Sequence, residues 1–181
     1  MKRRSTAELR ESKVSRADFL ALPRLPVTLV LSGLKMENLG SVFRLADAAR
    51  VERIVLCGVP YRPESLSFKQ AAKGSYRWVP HSVADSALEV VRQLKDEGVC
   101  IIALEQAVDS VPYHRAQYRF PCALVIGRER EGVDEEMLAL ADLTVELPMA
   151  GMTNSLNVAV ATGILVYRMI EYLEETGGTP R

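Results

Sequence analysis

Three clusters of glycines and polar residues are the strongest candidates for chemistry in this chain, and each lies where an apolar strand is predicted to give way to a helix. They are Asn38-Leu39-Gly40-Ser41-Val42-Phe43-Arg44, Gly127-Arg128-Glu129-Arg130-Glu131-Gly132, and Leu147-Pro148-Met149 followed by Ser155-Leu156-Asn157-Val158. Open α/β sheets bind their ligands at such strand-to-helix junctions. We therefore consider each cluster in turn as a candidate ligand contact.

The first cluster contains an arginine that helix geometry directs outward. In a helix over 39–50 the apolar face is centred on Leu39 and Phe43, and Arg44 lies about 140° from that face. A solvated helix arginine and, for Asn38, a simple helix N-cap are the alternative interpretations. Taken alone, this cluster favours an ordinary surface helix over a ligand contact.

The second cluster places Gly127 and Gly132 five positions apart, directly after an apolar strand. Two such glycines let a backbone approach a ligand closely and present its amide groups. The segment matches neither the dinucleotide-binding fingerprint nor the phosphate-binding loop. A surface turn is the alternative interpretation.

The third cluster brings Ser155 and Asn157 into the first turn of a predicted helix that is otherwise hydrophobic. One of Thr153, Asn154 and Ser155 would suffice as its cap. A further carboxamide entering a buried helix must find hydrogen-bond partners or cost a few kcal/mol. This requirement favours a functional role for Asn157.

In their order and spacing the clusters resemble the three motifs of the SpoU/TrmH branch of the SPOUT methyltransferases, over about residues 27–170. Ala103-Leu104-Glu105-Gln106 is similar to a family segment that adjoins the cofactor site. Arg128 departs from the family pattern, since Asn is common at that place. The resemblance implies a C-terminal trefoil knot, S-adenosylmethionine as cofactor and a homodimer that completes the active site.

The resemblance also assigns roles to individual residues. The catalytic set is Arg44, Glu129, Ser155 and Asn157, and the cofactor-binding set is Leu104, Gly127, Gly132, Leu147, Met149, Leu156 and Val158. We expect RNA contacts at Asn38, Arg44, Arg3, Arg4 and Arg10.

The activity implied by the resemblance is S-adenosylmethionine-dependent 2'-O-methylation of a ribose in structured RNA. We expect tRNA, with a D-loop guanosine as a lead, rather than rRNA, because the chain shows no separate N-terminal RNA-binding domain such as some rRNA-modifying members carry. Arg44 is the family's candidate for activating the hydroxyl. A guanidinium stays protonated and has no acceptor atom, so a clamp on phosphate or 2'-OH is physically safer than a base.

Two other functions are the alternatives to this one. A catalytically silent RNA-binding protein on the same fold would not need Arg44 and Asn157 together. A nucleotide-binding oxidoreductase would need a glycine fingerprint after the first strand, and Ser32-Gly33-Leu34-Lys35 supplies none.

The elements that must position these residues follow from the hydrophobic pattern. Short apolar runs rich in β-branched residues alternate with stretches of helical period, which predicts an α/β fold with a doubly wound, mostly parallel sheet. The predicted strands are 27–31, 53–57, 100–104, 123–126 and 143–147, with a weaker one near 77–79. The predicted helices are 39–50, 65–73, 83–97, 134–141 and 155–173.

Composition fits one domain of an ordinary globular protein. The chain has 181 residues, 48% of them hydrophobic, and no apolar run long enough for a membrane span. We predict a basic arm or lead-in helix at 1–25, a methyltransferase domain at 26–175 and a disordered tail at 176–181. No apolar signal core follows the N-terminus, so we expect a cytoplasmic protein.

Charge and cysteine usage add two expectations. Lys plus Arg equals Asp plus Glu at 23 each, so any attraction to RNA must be local, and the basic arm could supply phosphate contacts or be a solvated terminus. Cys57, Cys100 and Cys122 lie in predicted strands at wide spacing. We expect buried free thiols rather than a disulfide or a metal site.

Overall fold

The computed structural model describes residues 21–58 and 61–178, together with the isolated positions 4, 5, 8, 15 and 18. A seven-stranded sheet forms its centre, in the spatial order β3-β2-β1-β6-β4-β7-β5. Neighbouring strands of the described sheet are parallel throughout. The strands are β1 (Leu25–Ser32), β2 (Val51–Cys57), β3 (His81–Ala84), β4 (Cys100–Leu104), β5 (Val111–Pro112), β6 (Cys122–Ile126) and β7 (Leu143–Glu146).

Helices cover both faces of this sheet. They are α1 (Met36–Ala48), α2 (Leu66–Ala72), α3 (Ala87–Asp96), α4 (Glu135–Leu140) and α5 (Val158–Glu175), with one 3₁₀ turn at Ser75–Arg77. One core contains buried residues of α1, α2 and α5, and a second contains those of α3 and α4. The predicted doubly wound α/β architecture is therefore confirmed.

The central strands form because their side chains are apolar on both faces of the sheet. All five residues of β6 are buried, and β1 is buried along nearly its whole length. A strand covered by helices on both faces needs such a continuous apolar run rather than alternation. Cys57, Cys100 and Cys122 are free and buried in these strands, as predicted.

Helices α1 and α2 pack very closely at Gly40. A Cβ at this position would lie 2.6 Å from the Phe68 backbone oxygen and 2.8 Å from the Ala71 side chain. Gly40 therefore serves the contact between α1 and α2, and Arg44 follows it by about one turn on the same helix.

Three elements differ from the sequence prediction. The weak strand predicted near 77–79 is wrong: a 3₁₀ turn occupies Ser75–Arg77, and the edge strand is His81–Ala84. The turn is held by the Val79 amide, which donates to the Ser75 oxygen, and by the Ser75 hydroxyl, which donates to Ala72. Helix α5 begins at Val158 rather than near 155, and the two-residue strand β5 was not predicted.

The strand order fixes where a ligand can lie. The chain moves outward from β1 to β3 and then returns to place β6 and β4 on the other side of β1. The carboxyl ends of β4, β6 and β7 consequently meet at one edge of the sheet. Among the described residues, no helix has the length and apolar character needed to cross a bilayer.

Candidate functional site

A cavity of about 290 Å³ opens at the carboxyl ends of β4, β6 and β7. Its lining includes Leu104 and Glu105 at the end of β4, Ile126 and Gly127 at the end of β6, and Leu147 after β7. The remaining wall comes from the loops after β4, β6 and β7, the last residue of β7 and the first turn of α5, at Gln106, Arg128, Glu129, Arg130, Glu131, Gly132, Glu146, Met149, Ser155, Leu156, Val158 and Ala161. Apolar walls with a few polar groups are typical of a small-molecule site.

The loop between β6 and α4 is closed on itself beneath the cavity. The Arg128 amide donates to the Gly132 oxygen and the Gly132 amide donates back to the Arg128 oxygen, each at 2.9 Å. A Cβ at Gly127 would lie 2.0 Å from the Gly132 carbonyl carbon, so only glycine fits. Gly132 has a φ of 74°, in the left-handed region that favours glycine. Both glycines are thus required by the loop itself.

Four polar side chains from three distant segments form one hydrogen-bonded network above this loop. Glu129 Oε1 accepts from Asn38 Nδ2 at 2.7 Å and from the Lys35 amide at 3.0 Å. Lys35 Nζ lies 3.3 Å from Glu129 Oε2. Asn157 Nδ2 donates to Asn38 Oδ1 at 2.9 Å.

The orientation of each carboxamide in this network follows from its neighbours. An ionised Glu129 can only accept, so the amide nitrogen of Asn38 must face it and the oxygen must face Asn157. Asn157 Oδ1 in turn accepts from the Ala159 and Val160 amides at 2.9 and 3.3 Å. The network therefore has one direction, from the α5 amides to the Glu129 carboxylate.

Burial by itself raises the pKa of Glu129, but the surrounding donors outweigh it. Hydrogen bonds from the Lys35 amide and from Asn38, together with the Lys35 charge, hold the pKa below its ordinary value. At neutral pH Glu129 is therefore an anion whose two oxygens are both engaged. It is suited to hold geometry rather than to exchange a proton.

Asn157 is the N-cap of α5. The sequence-based expectation that one of Thr153, Asn154 and Ser155 caps this helix is wrong. The prediction that the helix is buried at this point is also wrong, because Asn157 is exposed. The Asn157 carboxamide forms three hydrogen bonds. Asn38 is likewise not a cap, since the N-cap of α1 is Lys35 and Asn38 is 9% exposed.

Arg44 lies apart from the network. It is exposed, as the helix geometry predicted, and the part of the chain that the structure describes gives its side chain no hydrogen bond or ion pair. It does not line the cavity. Its guanidinium is therefore available for an external anion.

Comparison with known proteins adds to this geometry. The model of the SpoU rRNA Methylase family matches residues 26–167. The chain belongs to this family.

Two curated relatives and one solved structure illustrate what the SpoU chain is similar to. A tRNA (guanosine(18)-2'-O)-methyltransferase of Aquifex aeolicus is 31% identical, over 78% of this chain and 66% of that protein. Its Thermus thermophilus namesake is 32% identical, over 88% of this chain and 82% of that protein. An AdoMet-bound rRNA methyltransferase from Sinorhizobium meliloti superposes with a TM-score of 0.75 at 30% identity, covering 85% of this chain and 60% of that one. The SpoU chain thus spans about two thirds of the length of its Aquifex relative.

The structure brings most of the predicted site residues of the SpoU chain together. All seven members of the predicted cofactor-binding set line the cavity, as do Glu129 and Ser155. The Ser155 side chain forms no hydrogen bond within the described residues. Of the predicted RNA contacts in the N-terminal arm, Arg4 is exposed, whereas Arg3 and Arg10 lie outside the described residues. The roles of all these residues remain predictions.

Sequence reasoning placed Glu105 and Gln106 beside the cofactor site only as members of a family segment, without an individual role, and it did not identify Lys35; all three are part of the site. Glu105 accepts from the Gln106 and Val133 amides, and Gln106 Nε2 donates to the Asn154 oxygen at 2.7 Å. A carboxylate and a carboxamide directly after a fully apolar strand were the signal that could have identified the pair. No sequence signal marks Lys35.

Proposed function

We propose that this chain transfers a methyl group from S-adenosylmethionine to a ribose 2'-hydroxyl of tRNA, with a D-loop guanosine as the target nucleotide. One observation carries the proposal: Glu129 belongs both to the cavity wall and to the network that joins Asn38 and Asn157. The cavity can hold the donor, and the network lies beside it to order the acceptor. The names of the Aquifex and Thermus relatives supply the target nucleotide.

The residues present fit the cofactor. Leu104, Leu147, Met149, Leu156 and Val158 give apolar walls for a flat base, and the 127–132 loop offers backbone groups. Carboxylates in the same lining suit the cationic part of the molecule; they are Glu105, Glu129, Glu131 and Glu146. When bound there, S-adenosylmethionine supplies a methyl group on a positively charged sulfur.

The chain's own residues then orient the acceptor. Arg44 holds a phosphate of the target nucleotide, since a guanidinium grips phosphate through two parallel hydrogen bonds. Glu129 and Asn157 fix the entrance of the site through Asn38, and Ser155 contributes its free hydroxyl there. Because the network is already formed, alignment of the ribose hydroxyl requires little rearrangement of the protein.

A homodimer is the second part of the proposal. Arg44 lies outside the cavity of its own chain, so a second copy would complete the site. Helix α5 offers a surface for it, because Val160, Ile164 and Tyr167 are 51%, 36% and 45% exposed at helical spacing. Isolated apolar residues on a surface are common, but a stripe along one helix is typical of an interface.

The trefoil knot and a cytoplasmic location complete the proposal. The segment after β7, at one side of the sheet, crosses the cavity and leads into α5, which packs on α1 beside β1. Such a crossing over the ends of β4 and β6 is what a knotted C-terminus requires. A protein that acts on tRNA meets its substrate in the cytoplasm.

Methyl transfer to separate pools of tRNA and rRNA tests the function. Labelled S-adenosylmethionine is incubated with wild type, Asn157→Ala, Arg44→Ala and Arg92→Gln, the last a control on α3, across the sheet from α1. The proposal is supported if label appears in tRNA and maps to a 2'-O-methylated D-loop guanosine. Asn157→Ala and Arg44→Ala should lose this label, and Arg92→Gln should keep it. Label confined to rRNA contradicts the substrate, and a chain that binds RNA but no cofactor is a silent RNA-binding protein.

A further inference from the structure

The segment from Tyr61 to Ala84 carries an excess of positive charge in a chain that is neutral overall. It contains four Lys and Arg residues and one acidic residue, Glu64. The four cations are Arg62, Lys69, Lys73 and Arg77, and all four are exposed. Within the described residues none of them has an ion pair, although six cation-to-carboxylate contacts occur elsewhere. These charges are therefore available to an external anion.

Three of these cations, Lys69, Lys73 and Arg77, lie within nine positions of Trp78, the only tryptophan of the chain. Lys69 lies on α2, and Lys73, four positions further on, is the C-cap of that helix. Left-handed backbone at Lys73 and Gly74 then reverses the chain. The Trp78 ring lies 3.9 Å from where a Cβ on Gly74 would be, and it is 37% exposed. The Arg77 guanidinium lies 5.8 Å from the centre of the Tyr76 ring. We call the set formed by Lys69, Lys73, Arg77 and Trp78 the α2 surface.

The α2 surface adjoins the helix that carries the candidate catalytic arginine. Helix α2 packs on α1 at Gly40, and the 3₁₀ turn also contacts α1. Arg44 is one turn beyond Gly40 and is exposed. Arg44 and the α2 surface thus lie on neighbouring elements that pack on each other.

We propose that the α2 surface binds the RNA substrate outside the reactive nucleotide, with its cations on phosphates and Trp78 against an unpaired base. The inference rests on the proposed function. Unpaired cations beside an exposed aromatic ring are the usual means of binding single-stranded RNA. Such contacts are sequence-tolerant, so they supply affinity rather than the choice of nucleotide.

Intrinsic fluorescence tests the proposal directly, because Trp78 is the only tryptophan. Total tRNA added to wild type should change the Trp78 emission at the concentration at which a filter assay shows binding. Lys69→Gln/Lys73→Gln/Arg77→Gln should weaken tRNA binding about ten-fold or more and lower the slope of log K against log salt by about one per lost phosphate contact. Arg92→Gln on α3 should match wild type, and cofactor affinity should be the same in all three proteins.

Two outcomes distinguish the failure of this surface from the failure of the function. If the triple variant binds and methylates tRNA like wild type, the α2 surface is overturned and the proposed function stands. If wild type binds neither tRNA nor ribosomal RNA, both are overturned. Circular dichroism of the triple variant checks that the fold is intact.

A second inference comes from a different observation, the hydrogen bonds of Glu105 and Gln106. The Glu105 carboxylate accepts the Val133 amide at 2.9 Å and lies 2.2 Å from where a Cβ on Gly132 would be. Gln106 binds the Asn154 oxygen in the other cavity loop. The two adjacent side chains thus connect both loops to the end of β4.

The geometry points to Glu105 and Gln106 as positioning residues that hold the two cofactor loops at a fixed separation. Since this inference too rests on the proposed site, its test measures binding apart from activity. In Glu105→Gln an amide nitrogen faces either the Gln106 or the Val133 backbone amide, so one of these two hydrogen bonds is lost. The Kd for S-adenosylmethionine, measured by calorimetry, should rise about ten-fold. Gln106→Ala should act similarly and should increase hydrogen exchange at 153–157.

A purely structural role predicts a different pattern. In that case Tm would fall while the Kd for the cofactor stayed unchanged, and the inference would be overturned. Glu105→Gln and Gln106→Ala should instead raise the KM for the cofactor and leave the KM for tRNA unchanged. Gln106→Glu, which keeps the length but cannot donate to Asn154, should behave as Gln106→Ala does.

Discussion

The contact between Asn38 and Glu129 can be tested by a substitution that changes charge and almost nothing else. In Asn38→Asp an oxygen replaces the amide nitrogen that lies 2.7 Å from Glu129 Oε1. The other oxygen still accepts from Asn157 Nδ2. Two carboxylates then face each other and cannot both remain ionised, so they share a proton and one pKa rises strongly.

The size of the effect follows from the distance and the burial. At an effective dielectric constant of about 20, two unit charges roughly 3 Å apart repel by about 5 kcal/mol. The carboxylate pair can take up a proton instead of bearing the full repulsion. The loss of unfolding free energy is then at most about 1.4 kcal/mol for each unit by which the raised pKa in the folded state exceeds the pKa in the unfolded chain. Position 38 is only 9% exposed, which limits screening, and the exposed Lys35 offsets a small part. We expect the free energy of unfolding to fall by roughly 3 kcal/mol at pH 8 and by about 1 kcal/mol at pH 5.

The sign of the pH dependence makes this prediction specific. A group whose pKa is raised in the folded state contributes stability at low pH and loses it as pH rises through the folded pKa. Urea denaturation at pH 5, 6, 7 and 8 measures the difference from wild type. Asn38→Leu is the control, because it removes both hydrogen bonds without adding charge, and its destabilisation should change little between pH 6 and 8, where Glu129 stays ionised. An Asn38→Asp deficit that is equal at pH 5 and pH 8 would refute the contact with Glu129.

Three further predictions concern the loop, the carboxylate and the arginine. Gly127→Ala should lower the free energy of unfolding by about 2–3 kcal/mol in urea denaturation, because the added Cβ would lie 2.0 Å from the backbone of the loop. The variant should also show no cofactor binding by calorimetry, and wild-type cofactor affinity would contradict this prediction. Glu129→Gln should lower the free energy of unfolding by under about 1 kcal/mol in the same assay, since it loses only the ion pair with exposed Lys35. Glu129→Ala should lower it by about 1–3 kcal/mol, because Asn38 is left without an acceptor. Equal losses in the two variants would show that Asn38 does not depend on Glu129 as its acceptor. Arg44→Lys should lower single-turnover methylation about ten-fold while cofactor affinity stays unchanged, and near-wild-type turnover would exclude a two-pronged grip on phosphate.

Most of the sheet could be predicted because it is central and apolar. Runs such as Cys100–Leu104 and Cys122–Ile126 must be buried on both faces, which leaves a strand between helices as the simplest solution. The edge of the sheet was harder. The strand at His81–Ala84 is largely exposed, and Val111–Pro112 has two residues, so neither leaves a clear apolar pattern.

The sequence by itself determined the components of the site: the glycines that only a close-packed loop requires, the polar residues at strand ends and the order of the motifs. Tertiary structure decided how they meet. Asn38 contacts Glu129 across 91 positions and Asn157 across 119, and hydrogen bonds that act over about 3 Å depend on which strands are neighbours. Strand order also places Lys35 and Glu105 in the site and leaves Arg44 outside it. No local pattern encodes that order, because it follows from how the whole chain buries its apolar faces.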